Sequence, residues 1–141
     1  RTMQMESDKK GLLTLGNKDS RITKVGYFLR RYKIDEFPQL LNILIGDMSF
    51  VGPRPELRKY VNYYPKEDLI VLSVRPGITG LASIEFRNEV ELLKAAKDPE
   101  AFFVESIIPE KLKLNKLYIE KSSFWFDLKL IIITIYRVLT K

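Results

Sequence analysis

The chain has 141 residues, 45% of them hydrophobic, which suits one domain with a real core. Its 24 basic and 18 acidic residues leave a net charge of +6, a bias toward nucleic acid, phosphorylated metabolites or an acidic membrane surface. The absence of Cys and His excludes disulfides, thiol nucleophiles, thiolate metal sites and the Ser-His-Asp triad.

The chain opens Arg1-Thr2-Met3 with no Met at position 1, so a fragment is expected, with a targeting or transmembrane segment able to lie upstream. Residues 4–20 are polar and read as a surface loop, and Asp19 or Ser20 can cap the helix that follows. Ile22, Val25, Phe28, Leu29 and Tyr32 then recur at helical spacing. Asp35 caps a second predicted helix through about residue 45, with Pro38 in the first turn, where its missing N–H costs little. Leu40, Leu41, Ile43, Leu44 and Ile45 predict that this helix is largely buried. Gly46 closes it.

An extended piece at 49–51 leads into the stiff loop Gly52-Pro53-Arg54-Pro55. Two short helices follow at 56–63 and 66–73, broken by Pro65. Pro76-Gly77 is the pair a type II turn prefers, because Gly accepts a positive φ. A short strand is expected at 81–86, a helix at 88–96, and mostly helix over 100–120, interrupted near Pro109. Residues 122–140 are apolar apart from Asp127, Lys129 and Arg137. They suit a helix lying at a membrane interface, and a buried C-terminal core helix fits equally well. No apolar run reaches the roughly 18–20 residues of a spanning helix.

The chemistry concentrates between Arg30 and Gly80. Without Cys or His, a nucleophile is Asp, Glu, Ser, Thr, Lys or Tyr, and a metal is expected to be a hard cation such as magnesium. Asp35-Glu36 at a helix start can simply cap N–H groups and meet the positive dipole end. The same N-terminus attracts a phosphorylated substrate once a cation or arginines offset the like charge. Neighbouring helical residues diverge by about 100°, so one carboxylate can attack phosphorus while the other holds a metal. Arg54, between two prolines, is presented on stiff backbone suited to a phosphate, or is solvated on a surface turn. Arg75 precedes a second loop whose glycines let backbone approach a ligand, or which is a plain turn. Arg21, Lys24, Arg30, Arg31 and Lys33 form a basic run, either a solvated helix face or a contact for anionic headgroups.

Together these residues resemble the bacterial sugar transferases, the monotopic phosphoglycosyl transferases that initiate exopolysaccharide, O-antigen or glycan assembly. The resemblance runs through Arg30-Arg31, Asp35-Glu36-Phe37-Pro38-Gln39-Leu40, Gly46-Asp47-Met48-Ser49 and Val51-Gly52-Pro53-Arg54-Pro55-Glu56. It continues through Arg75-Pro76-Gly77-Ile78-Thr79-Gly80-Leu81-Ala82 and the tail from Leu117 to Lys129. It implies a predominantly helical α+β catalytic domain over 1–141 with a few short strands and amphipathic helices at a membrane interface, one of them at 122–140. The family's N-terminal re-entrant membrane helix is absent from this chain.

The implied reaction moves a sugar 1-phosphate from a UDP-sugar to polyprenyl (undecaprenyl) phosphate at the cytoplasmic face of the bacterial inner membrane. In this resemblance Asp35 is the nucleophile and carries a covalent phosphosugar, and Glu36 helps to hold Mg2+. Arg30 and Arg54 contact phosphates, and Arg75, Gly77, Thr79 and Gly80 shape the nucleotide or phosphate pocket. One departure stands out: residues 83–88 keep only the Arg-Asn of the family's Gly-Arg-Asn, which bears on donor-sugar contacts. Two rivals remain, a basic membrane-binding module without activity in this shortened form and a nucleic-acid-binding domain. The second is disfavoured because no recognisable binding motif is present. The sugar and any homo-oligomer stay open.

Overall fold

The computed structural model describes residues 22–31 and 37–140. In chain order these form α1 (Lys24–Arg31), α2 (Phe37–Ile45), β1 (Ser49–Val51), α3 (Arg58–Val61), a 3-10 segment (Lys66–Leu72) and β2 (Gly77–Thr79). Then come α4 (Leu81–Glu85), α5 (Glu89–Ala95), α6 (Pro99–Phe102), a π-helical segment (Phe103–Ile107), α7 (Ile108–Lys121) and α8 (Phe124–Leu139). The described residues are mostly helical, with one parallel pair of strands.

Local chemistry explains most boundaries. Thr23 caps the first helix, its hydroxyl accepting from the Gly26 amide at 2.9 Å, while Asp19 and Ser20, the expected caps, lie outside the described residues. Gly46 ends α2 at φ 95°, in the left-handed region that suits glycine. The interruption expected near Pro109 is real. Proline has no N–H for the carbonyl four residues back, and the chain widens into the π-helical turn just before it, with Pro109 in the first turn of α7. Ser123 caps α8 by accepting from the Phe126 amide at 3.2 Å.

Three expectations are corrected. Residues 81–85 are helix, not strand: Ala82 and Ile84 alternate like a strand face, but both are buried because this short helix packs against both α7 and α8. Helix α2 is not buried. None of its nine residues is, and Leu44 is 82% exposed, because apolar content supplies a reason for burial but not a partner. Finally, Pro76-Gly77 is not a type II turn. Gly46 is the positive-φ glycine among the described residues, and Gly77 starts β2 in extended conformation.

Two apolar clusters make the core. One joins Tyr60, Val71, Leu93, Phe103, Ile107, Ile108 and Leu112, with the Tyr60 and Phe103 rings edge-on at 4.8 Å. The other joins Val51 of β1, Ile84 of α4, Tyr118 of α7 and Leu130 of α8. Helix α7 contributes to both and so ties the strand pair to the helical body.

Candidate active site

The two loops that stand far apart in sequence meet through the strands. β1 and β2 pair in parallel with Ser49 opposite Gly77 and Val51 opposite Thr79. The Ser49 amide donates to the Pro76 carbonyl at 2.8 Å, the Gly52 amide to Thr79 at 2.9 Å and the Gly77 amide to Pro53 at 3.0 Å. The backbones then approach so closely that side chains are excluded. A Cβ on Gly77 would lie 2.1 Å from the Gly52 nitrogen, and one on Gly80 would lie 2.3 Å from the Gly52 oxygen. Here glycine serves backbone-to-backbone packing between the two loops.

That crossing sets Arg54 and Arg75 on adjacent loops, both exposed. A Cβ on Gly52 would come within 2.6 Å of the Arg75 carbonyl, a measure of how near the two chains run. Thr79 is 8% exposed and its hydroxyl lies 2.7 Å from that of Thr134 on α8. Arg30 lies in the last turn of α1. Asp35 and Glu36, expected to carry the nucleophile and the metal, lie outside the described residues, just before α2.

The sequence reading assigned no site role to several residues around this crossing. The Tyr118 hydroxyl lies 2.9 Å from Asp127 Oδ1 and 3.2 Å from the Val51 carbonyl, so its one proton serves two acceptors. Burial, and then the Asp127 carboxylate beside it, push that phenol well above its ordinary pKa. Lys111, with its side chain 15% exposed, bridges Glu56 at 2.9 Å and Glu89 at 2.6 Å, anchoring the far end of the proline loop to α5 and α7. Arg137 of α8 donates to the Ile84 carbonyl. A signal existed in the spacing of Asp127, Thr134 and Arg137: at i, i+7 and i+10 they share one face of an otherwise apolar helix.

The face of α8 opposite them is uncovered. Trp125, Ile132, Ile135, Tyr136 and Leu139 are all more than half exposed, as are Leu41, Leu44 and Ile45 of α2. Helix α8 therefore packs one face on the second core cluster through Leu130, Phe126, Ile131 and Ile133 and leaves an apolar stripe exposed on the other. Among the described residues no helix is long and apolar enough to cross a membrane. Between β1 and the start of α8 lies a cleft of about 200 Å³ lined by Ser49, Phe50, Val51, Phe124, Asp127, Leu128 and Ile131.

The family model described as Bacterial sugar transferase matches residues 1–141. Over 139 residues the chain is 40% identical to the uncharacterized sugar transferase EpsL of Bacillus subtilis (strain 168), covering 99% of this chain and 60% of that protein. It is 37% identical to the UDP-glucose:undecaprenyl-phosphate glucose-1-phosphate transferase of Klebsiella pneumoniae, over 94% of this chain and 27% of the relative. It is 34% identical to the UDP-N-acetylgalactosamine-undecaprenyl-phosphate N-acetylgalactosaminephosphotransferase of Aeromonas hydrophila, over 99% of this chain and 31% of the relative. The chain thus spans between 27% and 60% of the length of these proteins.

Proposed function

The chain belongs to the bacterial sugar transferase family, and from that premise we propose that it transfers a sugar 1-phosphate from a UDP-sugar to polyprenyl phosphate. The observation that supports this reading is the strand crossing, which sets the Arg54 loop beside the Arg75–Gly80 loop; in the proposal the arginines of both hold phosphate. Two of the relatives are named for transfer of a sugar phosphate to undecaprenyl phosphate.

In this proposal an Asp35 carboxylate oxygen attacks the sugar-bearing phosphorus of the donor. The bridging P–O bond breaks and UMP leaves with the electron pair. A phosphate oxygen of the polyprenyl phosphate then attacks the same phosphorus, giving the lipid diphosphate sugar and restoring the carboxylate. Glu36 holds Mg2+, an oxygen ligand for a hard cation; when bound, that ion neutralises phosphate charge. Arg30, Arg54 and Arg75 orient and neutralise the diphosphate, the contribution that dominates phosphoryl transfer. The exposed apolar stripes of α2 and α8 seat the domain on the cytoplasmic face of an anionic bilayer.

The test is intact-protein mass spectrometry of the full-length protein mixed with magnesium and a panel of UDP-sugars. A mass gain of one sugar phosphate is expected from the correct donor and is expected to vanish in Asp35→Asn. Release of UMP and transfer to lipid by Asp35→Asn at the wild-type rate would sink the covalent mechanism. Membrane binding without transfer from any donor would favour the inactive membrane-binding module instead.

A further inference from the structure

We propose that Tyr118, Asp127 and Thr134 are positioning residues: through them α8 sets the placement of the Arg54 loop against the Arg75 loop. The inference rests on the proposed function, which gives both arginines a phosphate to hold.

Two strands of three residues each cannot hold their own register, since an isolated two-stranded pair is marginal in water. Something outside the pair must fix it, and α8 grips both members of one register couple. Val51 and Thr79 face each other across the strands. The Val51 carbonyl receives the Tyr118 hydroxyl, itself held by Asp127 of α8. The Thr79 hydroxyl meets Thr134 of α8 at 2.7 Å. Thr134 already donates its proton to the Leu130 carbonyl at 2.8 Å, so Thr79 must donate to Thr134. The direction of each link is therefore determined.

Both links sit next to the arginines. Arg54 follows Val51 by three residues, and Arg75 precedes Thr79 by four. Close glycine packing makes the crossing rigid at its centre, so a change of register at Val51 or Thr79 carries both loops with it. Packing alone would be served as well by Phe at 118 and Val at 134. The hydroxyls are what the proposal needs.

The experiment uses the full-length protein with Tyr118→Phe, Thr134→Val and the conservative Thr134→Ser. Hydrogen exchange is read at the Gly52 and Gly77 amides, which cross between the two loops, and at Leu112 in the other core cluster. Kinetics with the UDP-sugar donor are measured in parallel. Loss of one net hydrogen bond corresponds to about a fivefold change. The expected result is exchange at Gly52 and Gly77 faster by about that factor in Tyr118→Phe and Thr134→Val. Leu112 should be unchanged and Thr134→Ser should behave as wild type. The donor kcat/KM should fall in the same two variants and recover in Thr134→Ser. Unchanged exchange at Gly52 and Gly77 overturns the inference, and so does equal acceleration at all three amides. A wild-type protein that transfers no sugar phosphate overturns the proposed function instead, while the exchange rates still decide the role of α8.

Discussion

Gly77 shows how a single residue can be read correctly as special and wrongly as to why. Next to Pro76 it has the composition of a turn, yet it lies in extended backbone, and its missing side chain makes room for the Gly52 amide. Replacing it with Ala puts a methyl 2.1 Å from backbone that is held by three interstrand hydrogen bonds. Nothing flexible is there to move aside. Gly77→Ala is therefore expected to lower unfolding free energy by about 3 kcal/mol, the upper part of the range for overpacking, as measured by urea denaturation. A loss no larger than that of an exposed Gly→Ala would mean the two loops are not locked together. Lys111 makes a related point about charge: one ammonium satisfies two carboxylates and lies 5.0 Å from the Phe103 ring centre, so the proline loop ends on a largely dehydrated ion cluster.

Among the elements, the connection between α3 and the 3-10 segment carries a pH signature. It seats Tyr64 against the first core cluster, where burial, with Glu56 adding to it, pushes the phenol up to about 12. The unfolded phenol titrates near its ordinary value of 10.0. Below that value both states hold the proton and the contribution to stability is constant. Between pH 10 and about 12 the unfolded chain releases the proton while the folded one keeps it, so stability falls as pH rises. Tyr60 and Tyr118 shift in the same direction and steepen the same fall. Tyr64→Phe is expected to make the decline between pH 10 and 12 shallower without changing stability at pH 8, as read by denaturant titration at a series of pH values. An identical slope in the variant would show that Tyr64 is hydrated in the folded chain.

For the whole molecule the distribution of apolar surface matters more than its amount. The core clusters use α3, α5, α7 and the inner face of α8, while α2 and the outer face of α8 leave large side chains in water. Combined with a charge of +6, this predicts adsorption to anionic vesicles that depends on both apolar and ionic contacts. Each buried Leu or Trp is worth roughly 1.5–3 kcal/mol. Leu44→Glu together with Trp125→Glu should therefore reduce co-sedimentation with phosphatidylglycerol vesicles by about tenfold or more. Retained binding by the double variant would remove these stripes from the proposed membrane seat. Raised salt should weaken adsorption of the wild type as well, through screening of the basic residues.

The sequence by itself determined the elements whose causes are local. Gly46 had to end a helix, Pro109 had to disturb one, and the motif residues sufficed to identify the family before any contact was known. These follow from dihedral limits, a missing N–H, or residue identity alone. What only the tertiary structure decided is which segments meet. The pairing of residues 49–51 with 77–79, the service of Gly52, Gly77 and Gly80 to one another, and the links from Val51 and Thr79 to α8 join residues tens of positions apart. No periodicity or composition encodes such contacts. The exposure of α2 belongs with them, because hydrophobicity makes burial favourable but only a neighbouring surface, of protein or of lipid, can provide it.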